Sequence, residues 1–590
     1  MNHARIVRRD SDAQGDWPAD LHPVLRRIFA ARGVHCMQAA RPKLTDLLPP
    51  SALGGIDAAS ALLAEAIRGD RRIVVVGDFD CDGATGVAVG VRGLRLLGAQ
   101  HVAYQVPQRM VHGYGLSPAL VEAMQPLRPD LLVTVDNGIA CVAGVAAAKQ
   151  RGWQVLVTDH HLPGPALPLA DAIVDPNLLA FARCRHDLVQ CAQCERDVRA
   201  NAAFASKSLA GVGVLFYLLL ATRARLRDEG WFDAGRREPD LSVLLDLVAV
   251  GTVADMVALD VNNRALVAAG LRRLRSGRCQ PGLRALAEVS GSALERLTSA
   301  DIGFSIGPRI NAAGRLEDMA IGIECLLSDD AEHALELART LDGINRERRQ
   351  VQDQMLEEAI AIAAASVDAA TAGVCVHDEG WHAGVVGLVA SKLKERLHRP
   401  VVAFAPAGSE GGEWRGSARS IPGFHIRDAL AEIDTRHPGL ILRFGGHAMA
   451  AGLGLARSDL PRFAAAFDAL ARERIAAELL EAVLLSDGEL DPTAMSLDLA
   501  QQLRDAGPWG QGFPEPLFDG RFTVMDWRVV GERHLKLVLQ AGGRTFDAIE
   551  FGGWLGQPPP AAVHIAYRLD INHWRDTAAL QLLIAHRSDP

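Results

Sequence analysis

The sequence predicts an α/β protein: a parallel-sheet domain, a long helix, a second and smaller α/β domain, and a C-terminal β-barrel. Three observations carry that expectation. Short apolar runs that end abruptly in acidic residues recur with Ala-rich helical sequence between them, the pattern of strands and crossover helices in a parallel sheet. A long charged stretch in the middle of the chain holds neither Gly nor Pro after Gly343, which suits a helix between domains. Five alternating runs separated by turn residues close the chain.

Composition narrows the class. The 590 residues leave room for roughly three or four domains, and hydrophobic and charged fractions of 49% and 23% are those of an ordinary soluble protein. No run approaches the roughly eighteen continuous apolar residues of a membrane span, and the polar start MNHARIVRRDSD has no signal-peptide core, so no membrane and a cytoplasmic location are expected. Nine cysteines, an odd and scattered set, argue against a disulfide framework and fit a reducing compartment. A net charge of −9 excludes a wholly basic surface, so any path for nucleic acid must be local.

Residues 1–50 read as a polar helical extension, with LHPVLRRIFAARG as its one short amphipathic element. The parallel-sheet domain is expected over 51–328. Its first strand, the β-branched run Ile73–Val76, ends in Asp78, Asp80 and Asp82, after which Gly83, Thr85 and Gly86 open a helix. LLVTVDNG ends in Asp136, and VLVTDHH ends in Asp159, His160 and His161. Ligands of parallel sheets lie off the carboxyl ends of the strands, so these residues should converge. Carboxylates packed this closely repel, and desolvating them costs on the order of several kcal/mol per ion unless a cation sits between them. An Asp after a strand is most often a helix cap or turn residue, but that explanation does not extend to all three strand ends together. Oxygen donors with one or two imidazoles point to Mn²⁺ or Mg²⁺ rather than to a thiolate zinc site.

Between the first two acidic ends, HVAYQVPQRMVHGYGLS supplies another strand and a loop on which Arg109, His112 and Tyr114 can face the metals. ADAIVDPN is a further strand. Residues 181–203 then bring Cys184, His186, Cys191 and Cys194, a composition able to hold a structural zinc, although the spacing matches no established ligand pattern and a surface loop is the simpler expectation. LAGVGVLFYLLLATRARL is an apolar core helix. DLVAVGTVADMVALD is a helix and a turn that places Asp255, with Asp246 and Asp260 solvated or capping. In GFSIGPRINAAGRLEDM, Arg309, Asn311 and Arg315 lie among small residues; the guanidiniums suit phosphate oxygens, or ion pairs with Glu317 or Asp318.

Residues 329–366 are the linker helix and 367–470 the second domain, read as strand, Gly-rich turn, helix and strand. There GSARS carries Ser417 and Arg419. In GGHAMAAG, Gly445 and Gly446 expose backbone N–H groups at an expected helix start, a nest for an anion with His447 aimed at it, or else form a tight turn. Residues 471–590 hold the five final runs, which suit a small barrel of the OB type; Trp527, Phe546, Tyr567 and Trp574 divide between stacking on bases and filling its core.

GDFDCDG, VDNG and TDHH resemble the first three motifs of the DHH phosphoesterase superfamily, and from Arg71 onward the chain resembles the bacterial single-strand-specific exonucleases of that superfamily, with 181–203 as an insertion. The resemblance implies a DHH domain, a DHH-associated domain and an OB barrel that together hydrolyse single-stranded DNA from its 5′ end to 5′-mononucleotides, in recombination and repair. It implies two ions, Mn²⁺ or Mg²⁺, held by Asp78, Asp80, Asp82, Asp136, His160 and Asp255, with Asp136 bridging. Asp136, His160 and His161 would be catalytic, His161 facing the substrate and Asp159 orienting the imidazoles. Arg109, Tyr114, Arg309, Asn311 and Arg315, with Ser417, Arg419, Gly445, Gly446 and His447 of the second domain, would contact the strand. Single-stranded DNA, a single-strand-binding protein and a helicase are the implied partners. The alternatives are an oligoribonuclease or cyclic-dinucleotide phosphodiesterase of the same superfamily, or a non-catalytic scaffold in a replication complex. A scaffold is expected to have lost some of these acids, and none is missing.

Overall fold

In the computed structural model, which describes residues 4–11, 14–109, 111–178, 192–233, 235–368, 370–408, 412–574 and 577–588, the first sheet is built from the runs that end in acids. Strands β1 (Ile73–Val76), β2 (Val102–Gln105), β3 (Leu131–Val135), β4 (Gln154–Thr158) and β5 (Ala172–Val174) pair in parallel in the order β2-β1-β3-β4-β5. β1 and β3 are buried along their whole length, which is why they read as unbroken apolar runs and not as alternating ones. On one face Val74, Val76, Leu132, Val155 and Val157 pack against Leu120, Met124 and Val145.

Helix α1 (Cys81–Leu97) leaves β1 directly. A Cβ on Gly83 would stand 2.5 Å from the backbone nitrogen of Asp78, so only glycine lets the helix start this close to the strand end. Helices α2 (Gly211–Asp228) and α3 (Leu245–Ala254) follow, then a π-helical turn (Ile302–Ile306) that runs into α4 (Gly307–Leu316). The chain divides into two units, Asp12–Asn345 with Arg504–Glu515, and Met1–Ser11 with Arg346–Leu503 and Pro516–Pro590. Helix α5 (Ala331–Ser366), 36 residues long, contains the point of division. Among the described residues no single helix is long and apolar enough to cross a membrane.

The second unit holds a mixed sheet and a barrel. β6 (Val374–His377), α6 (Val386–Leu397) and β7 (Val401–Pro406) form a parallel βαβ unit, extended antiparallel by β8 (Glu413–Arg419), β9 (Arg443–Gly446) and β10 (Ala450–Ala456) in the order β9-β10-β8-β7-β6. Phe404, Leu430, Phe463 and Phe467 fill its core. The five last runs are β11 (Phe518–Val530), β12 (His534–Ala541), β13 (Arg544–Glu550), β14 (Ala562–Trp574) and β15 (Thr577–Ser588), closed in the order β11-β12-β13-β15-β14. Full closure leaves no open sheet edge. Phe546 and Tyr567 are buried inside it, whereas Trp527 is partly exposed and stacks on Trp554, with ring centroids 5.6 Å apart.

Two local expectations are corrected. Residues 1–50 are not all helical: Arg5–Arg8 is a strand paired in parallel with Val483–Ser486, and Arg8 reaches Asp519 of the barrel at 2.7 Å. The partner lies far along the chain, beyond the reach of local propensity. GGHAMAAG opens no helix. Gly445 and Gly446 end β9, Gly446 has φ of +138°, and the chain turns straight back into β10 with the His447 N–H donating to the Ala450 carbonyl at 2.8 Å. Cross-strand pairing with β8 and β10 overrides the local glycine signal. Of the zinc candidates, Cys184, His186, Cys191 and the Cys194 side chain lie outside the described residues.

Candidate metal centre

The carboxyl ends of β1, β3 and β4, with the C-cap of α3, bring the acids together. Asp136 follows β3 with φ of +61°, a left-handed conformation that costs a residue other than glycine about 1–3 kcal/mol. Asn137 helps to hold the turn there, donating to the Val76 carbonyl at 3.1 Å and the Val135 carbonyl at 2.9 Å and so tying the ends of β1 and β3. Asp80 is the N-cap of α1, accepting from the Gly83 N–H at 3.0 Å, so the bland role expected of an acid after a strand is real but leaves its other oxygen uncommitted. Asp82 accepts the Gly211 and Val212 N–H groups at 2.6 and 3.0 Å, the first turn of α2 presenting its positive end to the carboxylate. Asp255 caps the C-terminus of α3.

Three overlapping sets place one donor atom per residue within 4.8 Å of one another: Asp78, Asp80 and Asp136; Asp82, His160 and Asp255; and Asp136, His160 and His161. His160 Nε2 stands 3.1 Å from Asp136 Oδ1 and 3.6 Å from Asp255 Oδ2. The sets contain every ligand expected from the sequence and add His161, which had been assigned to the substrate alone. Asp78 Oδ1 and Asp255 Oδ2 are buried oxygens without a hydrogen-bond donor. Burial, and then the charge of Asp80, pushes Asp78 up to about 8 and Asp82 up to about 7, while burial and neighbouring carboxylates, Asp82 foremost, hold Asp136 and Asp255 well above the usual carboxylate range. Buried oxygens without donors, mutual repulsion and imidazoles among them are a donor set that fits divalent cations.

The second layer is ordered too. Asp159 Oδ1 accepts from His161 Nδ1 at 2.8 Å, as an orienting acid should. Burial works against charge on His161, but Asp159 outweighs it and raises the imidazole to about 9. The Tyr114 hydroxyl donates to the Asp136 carbonyl at 3.0 Å and lies 3.3 Å from His161 Nδ1. Asn177, to which the sequence had assigned nothing, donates to the His160 carbonyl at 2.6 Å. Arg109 lies over the Phe79 ring at 3.8 Å, donates to the Gly314 carbonyl and lowers the Asp78 carboxyl against its burial.

The GFSIGPRINAAGR segment behaves differently from the expectation. Arg309 is 8% exposed and occupied by Asp342, at 3.0 and 2.9 Å, and by the Ser305 carbonyl. It is a buried ion pair, with an acid other than the two neighbours considered from the sequence, and presents no open guanidinium to a phosphate. Asn311 accepts the Cys81 N–H at 2.9 Å at the start of α1, a supporting contact, while Arg315 stays half-buried.

In the second unit, Arg419 donates to Ser391 Oγ at 3.1 Å, to Ser417 Oγ at 2.9 Å and to the Ala418 carbonyl, with burial lowering the guanidinium and no carboxylate acting on it. It lies against the first turn of α6, where a Cβ on Gly387 would meet Arg419 Nη2 at 2.8 Å and Ser417 Oγ at 3.0 Å. A half-buried cation with hydroxyls beside a helix N-terminus has the chemistry to hold an anion. Gly387 and Ser391 were missed in the sequence, where only the glycine-rich run before α6 hinted at them. Gly445, Gly446 and His447 are exposed on the β9–β10 hairpin.

Fold and site together define a DHH-family phosphoesterase architecture. The family models for "DHH family, N-terminal domain", "DHHA1 domain" and "RecJ OB domain" match residues 72–252, 363–473 and 486–586. The chain is 48% identical to the single-stranded-DNA-specific exonuclease RecJ of Dickeya dadantii over 99% of both chains, and 47% identical to that of Escherichia coli over 98% of both. The crystal structure of RecJ from Thermus thermophilus in complex with Mn²⁺ matches 96% of this chain and 76% of that one at a TM-score of 0.76 and 32% identity; its Mg²⁺ complex matches at 0.70. The chain belongs to the RecJ family.

Proposed function

We propose that the protein is a metal-dependent exonuclease that hydrolyses single-stranded DNA from the 5′ end. The observation that supports this most directly is the cluster of buried carboxylates and imidazoles at the sheet's carboxyl edge, complete in every expected position. Its relatives carry the name single-stranded-DNA-specific exonuclease, which favours this reading over the oligoribonuclease, the cyclic-dinucleotide phosphodiesterase and the scaffold.

Asp78, Asp80, Asp82, Asp136, His160 and Asp255 would hold two Mn²⁺ or Mg²⁺ ions, with Asp136 shared between the donor sets. Such ions lower the pKa of a coordinated water and neutralise charge on the scissile phosphate. Asp159 keeps His161 in one orientation, from which the imidazole would face the leaving 3′ oxygen. Asp82 stays in register through the two N–H groups of α2. Direction requires recognition of a terminus, and the Arg419 pocket with Ser417 suits a terminal phosphate dianion. Gly445, Gly446 and His447 offer a further exposed surface to the strand, and the closed barrel extends its path. A single-strand-binding protein and a helicase belong to this reading as partners. A cytoplasmic location fits six described cysteines that are all free thiols.

The test is cleavage of 5′- and 3′-labelled single- and double-stranded oligonucleotides, DNA and RNA, with each metal. The expected result is mononucleotide release from the 5′ end of single-stranded DNA only. In the same assay Asp136→Ala should lose hydrolysis by several orders of magnitude while keeping its affinity for the strand. Near-normal turnover by that variant, or release beginning at the 3′ end, contradicts the assignment.

A further inference from the structure

The turn that carries Asp255 is fastened by a segment from far along the chain. Asp255 closes α3, and Asp260 caps the next helix, Val261–Arg275, accepting the Asn263 N–H at 2.8 Å. Between the two helices Met256 has φ of +61°, a strained conformation that persists only where its surroundings over-determine it. Those surroundings include Arg504–Glu515, whose neighbours in the chain on both sides, up to Leu503 and from Pro516, belong to the other unit. The Leu259 N–H donates to the Gln511 carbonyl at 2.7 Å. A Cβ on Gly510 would stand 2.7 Å from Leu259 Cδ1, and one on Gly512, whose φ is +72°, 3.1 Å from the Ala258 Cβ. The segment is a strap lying directly on the turn.

The strap is itself tied down along its length. The buried Ser299 hydroxyl donates to the Trp509 carbonyl at 2.6 Å, Arg504 donates to the Arg296 carbonyl at 2.6 Å, and Arg32 donates to the Pro514 carbonyl at 2.8 Å. Gly510 and Phe513 exchange backbone hydrogen bonds of 2.9 and 3.1 Å. The Trp509 and Phe513 rings stack on each other at 5.0 Å and on Phe29 of the helix Pro23–Ala30 at 6.2 and 6.4 Å, while the buried Arg264 guanidinium lies 3.8 Å from the centre of Phe513. Asp255 shares a donor set with Asp82 and His160, and its Oδ2 stands 3.6 Å from His160 Nε2. A turn that shifts carries Asp255 out of that set. Asp78, Asp80 and Asp136, which hang on the strand ends, stay where they are.

We propose that the strap Arg504–Glu515 positions Asp255, so that an ion held by Asp82, His160 and Asp255 depends on the strap and an ion held by Asp78, Asp80 and Asp136 does not. This rests on the two-ion reading of the site. Ser299, Gly510 and Gly512 are positioning residues, none of them in a donor set. The strap ends at Glu515 and the first barrel strand begins at Phe518, so the segment that sets a metal ligand also leads straight into the barrel.

The experiment titrates Mn²⁺ into the metal-stripped full chain by calorimetry, for the parent, Ser299→Ala, Gly512→Ala, Asp255→Asn and the combined Ser299→Ala/Asp255→Asn. The parent should bind two ions. Ser299→Ala and Gly512→Ala should each weaken one of them by roughly ten- to a hundredfold and leave the other within about twofold of the parent. On the Asp255→Asn background Ser299→Ala should cost nothing further, because the ion it serves has already been lost. General destabilisation would act on both ions alike, so selective loss separates positioning from a fault in folding. Two ions weakened equally, a further loss on the Asp255→Asn background, or parent affinities in both strap variants overturn the proposal while leaving the two-ion reading intact. A parent that binds no Mn²⁺ removes that reading, and the strap's role with it.

Discussion

Single residues in this protein carry opposed demands, and the resolution of each is visible in its contacts. Asp136 tolerates a left-handed backbone because Asn137 and Tyr114 hold the turn around it. Arg309 and Arg419 show the reverse lesson: two arginines that looked alike in sequence differ because one has a buried carboxylate partner and the other, among the described residues, has only hydroxyls and a carbonyl. Arg419 is therefore the guanidinium with capacity left for a phosphate. Arg419→Ala should cost roughly 1.5–3 kcal/mol, about ten- to a hundredfold in kcat/KM, on 5′-phosphorylated single strands, and distinctly less on 5′-hydroxyl strands. Parallel measurements on the two substrates decide it, and equal losses would remove the pocket from any role in direction.

At the scale of elements, the metal centre depends on how closely helices approach strand ends. The first residue of α2 is the clearest case: its N–H holds Asp82, and a Cβ there would stand 2.6 Å from the Asp136 Cβ. Gly211→Ala must push one acid away from the other. The expected outcome is a loss of tenfold or more in Mn²⁺ affinity, read by calorimetric titration, with the far-ultraviolet circular dichroism spectrum unchanged. Unaltered affinity would mean that the strand end yields without harm to the site. The β9–β10 hairpin belongs to this scale as well. Its glycines read locally as a helix start, but a hairpin whose partners lie in β8 is chosen by cross-strand hydrogen bonds that no short window contains.

For the molecule as a whole, the acid cluster is a liability without its ions. Asp78 and Asp82, raised to about 8 and about 7, keep protons in the folded state that the unfolded chain, with carboxylates near 4, has already released. The folded state therefore binds more protons, and stability must fall as pH rises through that range. His161, raised to about 9, acts in the same direction, its contribution being lost as pH climbs through its folded value. Metal-stripped protein should accordingly melt at progressively lower temperature from pH 6 to pH 9. Added Mn²⁺ should raise the melting temperature little at pH 6 and strongly at pH 9, because cations replace the protons. Scanning calorimetry at several pH values checks the trend, and a metal-induced shift independent of pH would contradict the electrostatic account.

What the sequence by itself determined is the alternation of strands and helices, the acids that end β1, β3 and β4, and the five closing strands of the barrel. Each of these is written in short windows: burial on both faces makes a continuous β-branched run, and the carboxylates stand just past its end. Even the convergence of distant acids was legible, since a parallel sheet places all its strand ends on one edge. Only the tertiary structure decided which partners the remaining polar groups take. Arg309 with Asp342, Asn177 with the His160 carbonyl, Arg419 with Ser391 and the N-terminal strand with Val483–Ser486 are pairings between distant segments. The energy that selects them comes from satisfying buried donors and acceptors, a condition that exists only after the chain has packed.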